Sequence, residues 1–364
     1  MKFIIGNDKK DEGKKFLHLI ENEKFTNKFI KFINKNFDPK EHLFIVIGKG
    51  VGATIDSFDN VKVISNNIRG LITILGDMWA SKKIFLHGLF NWRIILFLFF
   101  QPWLLKKSNW VIWGGDLYYY KYRKNTYKSN LYEFFRKFTI RRVGGLITHV
   151  KGDYELAKEW YGARGKYYYS FMYPSNLFNE YDLSKVKKSN KKTYIQVGNS
   201  SNPSNNHLEV FDKLKKYKNK NIEIICPLSY GNIEYRDKVI ANGNKIFGDK
   251  FNPIIEFICF DEYLELLAKI DIAVFNHNRQ QALGNITTLL GLGKKVYIRD
   301  DITTWQFCIE HELKVYSSNQ NLNGFFDKVT IDKRLKNINN VKKHFSEKKL
   351  YSDWKSIFLK GGDV

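Results

Sequence analysis

Two stretches of this chain gather groups that handle negative charge and sugar hydroxyls. The first is Phe275-Asn276-His277-Asn278-Arg279-Gln280-Gln281-Ala282-Leu283-Gly284-Asn285. The Arg279 guanidinium can fork onto phosphate oxygens. Gln280 and Gln281 can donate to and accept from hydroxyls. Gly284 permits close backbone approach, and Asn285 can cap a helix. The second stretch is Gly198-Asn199-Ser200-Ser201-Asn202-Pro203-Ser204-Asn205-Asn206-His207. Small and amide residues that turn their N–H groups outward just before a helix suit a diphosphate. They also make ordinary polar turns and N-caps, so the second stretch alone decides nothing. In the first, charged and amide groups cluster where a strand ends, which favours a ligand site over a solvated loop. Tyr230, in a turn, could stack on a base or simply pack. The segment Ile254–Phe260 could present backbone amides at Phe260 to a nucleobase or be a plain core strand.

The first half offers titratable groups of another kind. His87 opens His87-Gly88-Leu89-Phe90-Asn91, and Asp116 closes Trp110-Val111-Ile112-Trp113-Gly114-Gly115-Asp116. A carboxylate there could deprotonate or orient a sugar hydroxyl. Asp116 is the first candidate and His87 the second. The competing readings are a turn or N-cap aspartate and a satisfied, half-buried imidazole.

Strands alternating with helices must position these loops. Strand-like runs occur at Lys2–Gly6, His42–Gly48, Val61–Ile64, Lys83–His87, Trp110–Trp113 and Gly145–His149, with helical spacing over Lys14–Asn36. A polar, basic stretch at 181–192 reads as a linker. A second series then has strands at Thr193–Val197, Asn221–Cys226, Ile254–Phe260, Ile270–Asn276 and Lys295–Arg299. The pattern predicts two doubly wound parallel α/β domains, over 1–180 and 193–340, with a crevice between them. A helical tail at 341–364 could pack back on the first domain. Ligands in such sheets sit outside the carboxyl ends of the strands.

Composition narrows the function class. The 364 residues carry 60 Lys+Arg against 37 Asp+Glu, a formal charge of +23, with 43% hydrophobic residues. That is ample for buried cores and excludes a disordered chain. The positive surface attracts polyanions, namely nucleic acid, acidic headgroups and nucleotide diphosphates. Three scattered cysteines, Cys226, Cys259 and Cys308, fit no disulfide framework or zinc spacing and suit a reducing compartment. Cys226 and Cys259 lie in apolar runs and read as core residues. No secretory signal follows Met1. The longest apolar run, Ile94 to Leu105, falls short of the roughly 20 residues that span a bilayer. Flanked by Trp92, Arg93, Lys106 and Lys107, the segment is built like an interfacial one, though a buried core helix reads the same way.

Trp110-Val111-Ile112-Trp113-Gly114-Gly115-Asp116-Leu117-Tyr118 resembles the W-x-I-W-G-x-D-L-Y signature of the bacterial TDP-N-acetylfucosamine:lipid II N-acetylfucosaminyltransferases, glycosyltransferase family 56. His87-Gly88 with Phe90-Asn91 is similar to their H-G-x-F-N element. Val197-Gly198-Asn199-Ser200 with Asn206-His207 is similar to V-G-N-S…N-x-H, and Arg279-Gln280-Gln281 with Gly284 to R-Q-Q-x-x-G. The resemblance spans nearly the whole chain; only the tail after about Trp305 is loosely matched. It implies a GT-B fold: two Rossmann-like domains with an interdomain cleft, donor on the C-terminal one and acceptor on the N-terminal one.

It further implies transfer of 4-acetamido-4,6-dideoxy-D-galactose from a dTDP donor to an undecaprenyl-diphosphate-linked oligosaccharide. The place would be the cytoplasmic face of the bacterial inner membrane, in assembly of a surface polysaccharide. Donor contacts are then expected at Gly198, Asn199, Ser200, Tyr230, Phe260, Arg279, Gln280, Gln281, Gly284 and Asn285. Acceptor contacts are expected at Asn91, Trp113, Gly115 and Tyr118. No cofactor, metal or nucleic acid is expected. Asn276-His277-Asn278 are more polar than the family form, so the sugar could be a related amino sugar. Two rivals are a nucleotide-sugar epimerase on the same architecture and a basic RNA-binding protein.

Overall fold

The computed structural model describes residues 15–48, 55–187, 191–320, 322 and 324–359. The expected strand Lys2–Gly6 lies outside them. The chain forms two compact units. Unit 1 takes the residues up to His149, Tyr154–Ser175 and those from Tyr351 onward; unit 2 takes Val150–Asp153 and Asn176–Leu350.

Unit 1 is built on β1 (Phe16–Glu21), β2 (His42–Ile47), β3 (Val61–Ile64), β4 (Lys83–His87), β5 (Ser108–Val111), β6 (Gly145–Ile147) and β7 (Lys166–Tyr168). The order is β3-β2-β1-β4-β5-β6-β7, and every pairing is parallel. Unit 2 has β8 (Thr193–Val197), β9 (Ile222–Pro227), β10 (Phe251–Ile254), β11 (Ile272–Phe275), β12 (Lys295–Ile298) and β13 (Tyr316–Ser317), in the order β10-β9-β8-β11-β12-β13. These pairings are also parallel. In each sheet the direction of travel reverses once, between β1 and β4 and between β8 and β11. The central strands are buried on both faces, as His42–Ile47 is at all six positions. That is why they read as unbroken apolar runs rather than alternating ones.

Two expected elements differ. The span 14–36 does not form one helix: Phe16–Glu21 is the interior strand β1, and the helix is confined to Thr26–Asn36. Between them, Asn22-Glu23-Lys24-Phe25 contain neither glycine nor proline. Phe16, Leu17, Leu19 and Ile20 therefore read together with Phe29, Ile30 and Ile33 as one apolar series. The strand expected at Ile254–Phe260 ends at Ile254, and a helix opens at Phe260. Pro253 is tolerated because β10 is an edge strand. Glu262 Oε2 accepts the Cys259 N–H at 3.1 Å and stabilises the helix start. Cys259 is therefore exposed, not core, whereas Cys226 is buried.

The segment 92–107 becomes the helix Trp92–Phe100 and a 3-10 turn, Pro102–Lys107. It is core on one side and surface on the other. Ile94, Ile95, Leu98, Leu104 and Leu105 are buried, while Trp92, Phe100 and Trp103 are at least half exposed. No described helix is long and apolar enough to cross a membrane.

Candidate functional site

In unit 2 the loops after β8 and β11 flank the point where strand order reverses, the place at which open α/β sheets bind ligands. Gly198 leaves β8 at φ +67°, a conformation that favours glycine. A Cβ there would lie 2.4 Å from His207 Nε2 and 2.7 Å from Asn205 Oδ1. The following residues are tied together by side chains. The Asn199 N–H donates to Asn205 Oδ1 at 2.9 Å, so that oxygen is an acceptor. His277 Nε2 lies 2.9 Å from the same oxygen and 3.1 Å from Asn199 Oδ1, so Nε2 carries the imidazole proton. Burial depresses the His277 pKa to about 3, and the ring is neutral. Gln281 Nε2 donates to Asn199 Oδ1 at 3.2 Å, and Gln281 Oε1 accepts from Ser204 Oγ at 2.6 Å. Asn199 Nδ2 reaches the Tyr230 hydroxyl at 2.8 Å. Asn199 and Gln281 therefore join the two loops.

Beside this lattice stand a guanidinium and a helix start. The helix Leu283–Gly291 starts from Ala282, itself left-handed at φ 58°, and no side chain caps its first turn. The amides of Leu283, Gly284 and Asn285 therefore stand at the positive end of the helix without a side-chain acceptor. A Cβ on Gly284 would meet only Asn176 Oδ1, at 3.5 Å, so the approach is open. Half-buried Arg279 stands just before this turn, its Nη1 held by the Gln280 carbonyl at 2.9 Å. Asn285 faces the Tyr263 hydroxyl. Gln280 is buried, and Phe260 opens the helix Phe260–Lys269. His277 is the residue that motif reading passed over. Its position two residues past a buried strand was the available signal.

In unit 1, Asp116 is fully buried. Oδ2 accepts from Trp110 Nε1 at 2.7 Å and the Leu89 N–H at 3.0 Å; Oδ1 accepts from the Trp113 and Leu117 N–H groups, both at 3.0 Å. Arg136, also buried, donates to the Leu89 and Asp116 carbonyls and pairs with Glu133 at 3.3 Å. Asp116 and Arg136 thus grip the Leu89 backbone from opposite sides. A carboxylate with four donors and no exposure does not reach a substrate hydroxyl. The expected base is a clamp for the 87–91 loop. Burial pushes its carboxyl up despite those donors.

His87 is committed too. Trp113 Nε1 donates to the Tyr173 hydroxyl at 2.7 Å, and His87 Nδ1 lies 2.7 Å from the same oxygen. His87 Nε2 is 3.1 Å from His18 Nδ1, and His18 Nε2 is 3.1 Å from His42 Nδ1. An indole only donates, so the Tyr173 oxygen accepts from Trp113, and its remaining bonding capacity faces His87 Nδ1. Burial lowers the His87 pKa to about 3 and drives His18 down as well. His87 is a satisfied buried imidazole that fixes Trp113, not a base. Tyr118, expected at the acceptor, is buried and meets Trp160 edge-on. Gly115 starts the helix Gly115–Tyr122. Half-buried Trp113 and buried Asn91 do sit in the loops after β5 and β4.

Residues 25–361 match the family described as 4-alpha-L-fucosyltransferase, glycosyl transferase group 56. The chain belongs to that family. It is a glycosyltransferase, and its solved structural neighbours carry the same GT-B fold of two Rossmann-like domains. Anabaena Alr3699/HepE, solved with UDP and glucose, is 11% identical at a TM-score of 0.65, covering 94% of this chain and 99% of that one. A glycosyltransferase from Rickettsia africae ESF-5 is also 11% identical, with a TM-score of 0.65 and coverage of 97% and 100%. The alpha,alpha-trehalose 6-phosphate synthase of Burkholderia multivorans is 6% identical, with a TM-score of 0.66 and coverage of 96% and 97%. At these identities the likeness concerns the fold.

Proposed function

We propose that this glycosyltransferase takes an amino sugar, 4-acetamido-4,6-dideoxy-D-galactose or a close relative, from a dTDP donor. The acceptor is an undecaprenyl-diphosphate-linked oligosaccharide at the cytoplasmic face of the bacterial inner membrane, in surface-polysaccharide synthesis. One observation carries the donor side: the uncapped first turn of Leu283–Gly291 with Arg279 beside it. Diphosphate oxygens are held there by backbone N–H groups and a guanidinium. As the bond to the sugar breaks, charge grows on that diphosphate, and fixed donors stabilise it without reorganising. In this reading the charge is met by protein groups, and neither metal nor cofactor takes part. Tyr230, about half exposed, stands at the end of the same surface for the base. HepE, solved with UDP and glucose, lends support from a related fold.

On the acceptor side, Trp92, Phe100 and Trp103 are exposed beside Arg93, Lys106 and Lys107. Aromatics at headgroup depth with basic neighbours suit an anionic membrane surface, and the net charge of +23 favours it. The test is to incubate the protein with a panel of dTDP- and UDP-sugars and undecaprenyl-diphosphate-linked disaccharide, then weigh the products. A mass gain of one acetamido-dideoxyhexose from the dTDP donor, unchanged by EDTA, is expected. In parallel, Arg279→Ala is expected to weaken dTDP binding by calorimetry about 10- to 100-fold, the worth of a charged hydrogen bond. Unchanged dTDP affinity removes Arg279 from the donor site.

A further inference from the structure

With Asp116 and His87 committed, unit 1 needs another group to receive the acceptor proton. The reversal of strand order between β1 and β4 marks where to look. β1 ends at Glu21 and β4 at His87. A small recess with room for about one water lies between these strand ends, where Glu21, His87 and Asn91 meet an otherwise apolar lining. His87 has both ring nitrogens engaged, and the Asn91 amide spans Asn66 and the Arg93 N–H at 2.9 and 3.1 Å. Glu21 differs. It is half-buried, and among the described residues it forms no ion pair. The nearby Asn91 amide favours its charged form, while burial and then Glu23 raise its carboxyl above the ordinary range. Its backbone is held by the Thr26 hydroxyl, which donates to the Glu21 carbonyl at 2.7 Å. A carboxylate with a fixed backbone, partial desolvation and, among the described residues, no ion-pair partner is a competent base.

We propose that Glu21 is the catalytic carboxylate that takes the proton of the attacking acceptor hydroxyl, with Asn91 orienting it. This rests on the glycosyl-transfer reading above, with the acceptor on unit 1. The hydroxyl oxygen forms a bond to the anomeric carbon. The bond from that carbon to the diphosphate oxygen breaks, its electron pair leaving on the diphosphate, and the hydroxyl proton passes to Glu21. One proton moves, one C–O bond forms and one breaks.

The experiment compares wild type, Glu21→Gln and Glu21→Asp, using the productive donor from the panel and the undecaprenyl-diphosphate-linked disaccharide. Glu21→Gln is expected to lower kcat about 10²- to 10⁴-fold, the usual worth of a general base. The dTDP affinity and melting temperature are expected to stay at wild-type values. Glu21→Asp, which keeps the carboxylate but shortens its reach, is expected to recover part of the rate. A Glu21→Gln kcat within threefold of wild type overturns the assignment while leaving the transfer reading intact. So does a rate loss that comes with a fall in melting temperature and no recovery in Glu21→Asp, because that is a structural role. A wild type that transfers no sugar from any donor overturns both.

Discussion

At the scale of single residues, buried carboxylates and imidazoles divide by whether their atoms are already engaged. Asp116 receives four N–H donors and lies against Arg136. In Asp116→Asn, one oxygen becomes an amide nitrogen facing donors. The expected result is a loss of about 3 kcal/mol, from weakened charged hydrogen bonds and at least one stranded donor. It should appear as a lower denaturation midpoint, with dTDP affinity spared because the proposed donor loops belong to the other unit. Glu21 is the opposite case, a carboxylate at a strand end with a single amide neighbour. Its environment is that of a group kept for reaction.

At the scale of elements, the proposed donor surface is two loops and one helix start. The loops are fastened by Asn199, Asn205, His277 and Gln281, so their backbone amides are oriented before any ligand arrives. Fixed orientation is what makes such donors useful in a transition state. Gly198→Ala tests this. The new methyl would sit 2.4 Å from His207 Nε2 at a backbone φ of +67°, so the loop must move. A cost of about 1–3 kcal/mol is expected from strain and overpacking, together with weaker dTDP binding. If calorimetry shows wild-type affinity, the loop is not part of the donor surface. The Trp113–Tyr173–His87–His18–His42 chain does the same for the Trp113 side chain. His18 is clasped between Phe44 and Phe85, with ring centroids 4.6 and 4.8 Å away.

At the scale of the whole molecule, the buried neutral histidines couple stability to pH. His87, His207 and His277 are each held near a pKa of about 3, chiefly by burial, and His18 is lowered too. Unfolded, they titrate near 6.5. Below that value the unfolded chain binds protons that the folded chain refuses, so stability falls as pH falls. The loss runs from about pH 6.5 down toward about pH 3, at roughly 1.4 kcal/mol per pH unit for each histidine. Denaturant midpoints measured at pH 7, 6 and 5 should therefore decline steeply. A flat profile would mean that these rings are protonated in the fold.

Local chemistry was enough to read the architecture. Apolar runs such as His42–Ile47 are long and uninterrupted because parallel strands bury both faces. Glycines and amides then mark the strand ends at Gly198 and Gly284. The boundary at Asn22–Phe25 carries neither the glycine nor the proline that marks strand ends elsewhere in this chain. Misreading β1 as helix removed Glu21 from view, since its importance comes from standing at a strand's carboxyl end. Asp116 and His87 stand out by type and position, but an aspartate's role depends on which N–H groups surround it. Leu89 and Arg136 come to Asp116 from 27 residues before and 20 residues after it. Burial and partnership are properties of distant chain segments brought together. Only the folded sheet decides which carboxylate is walled in and which stays open to react.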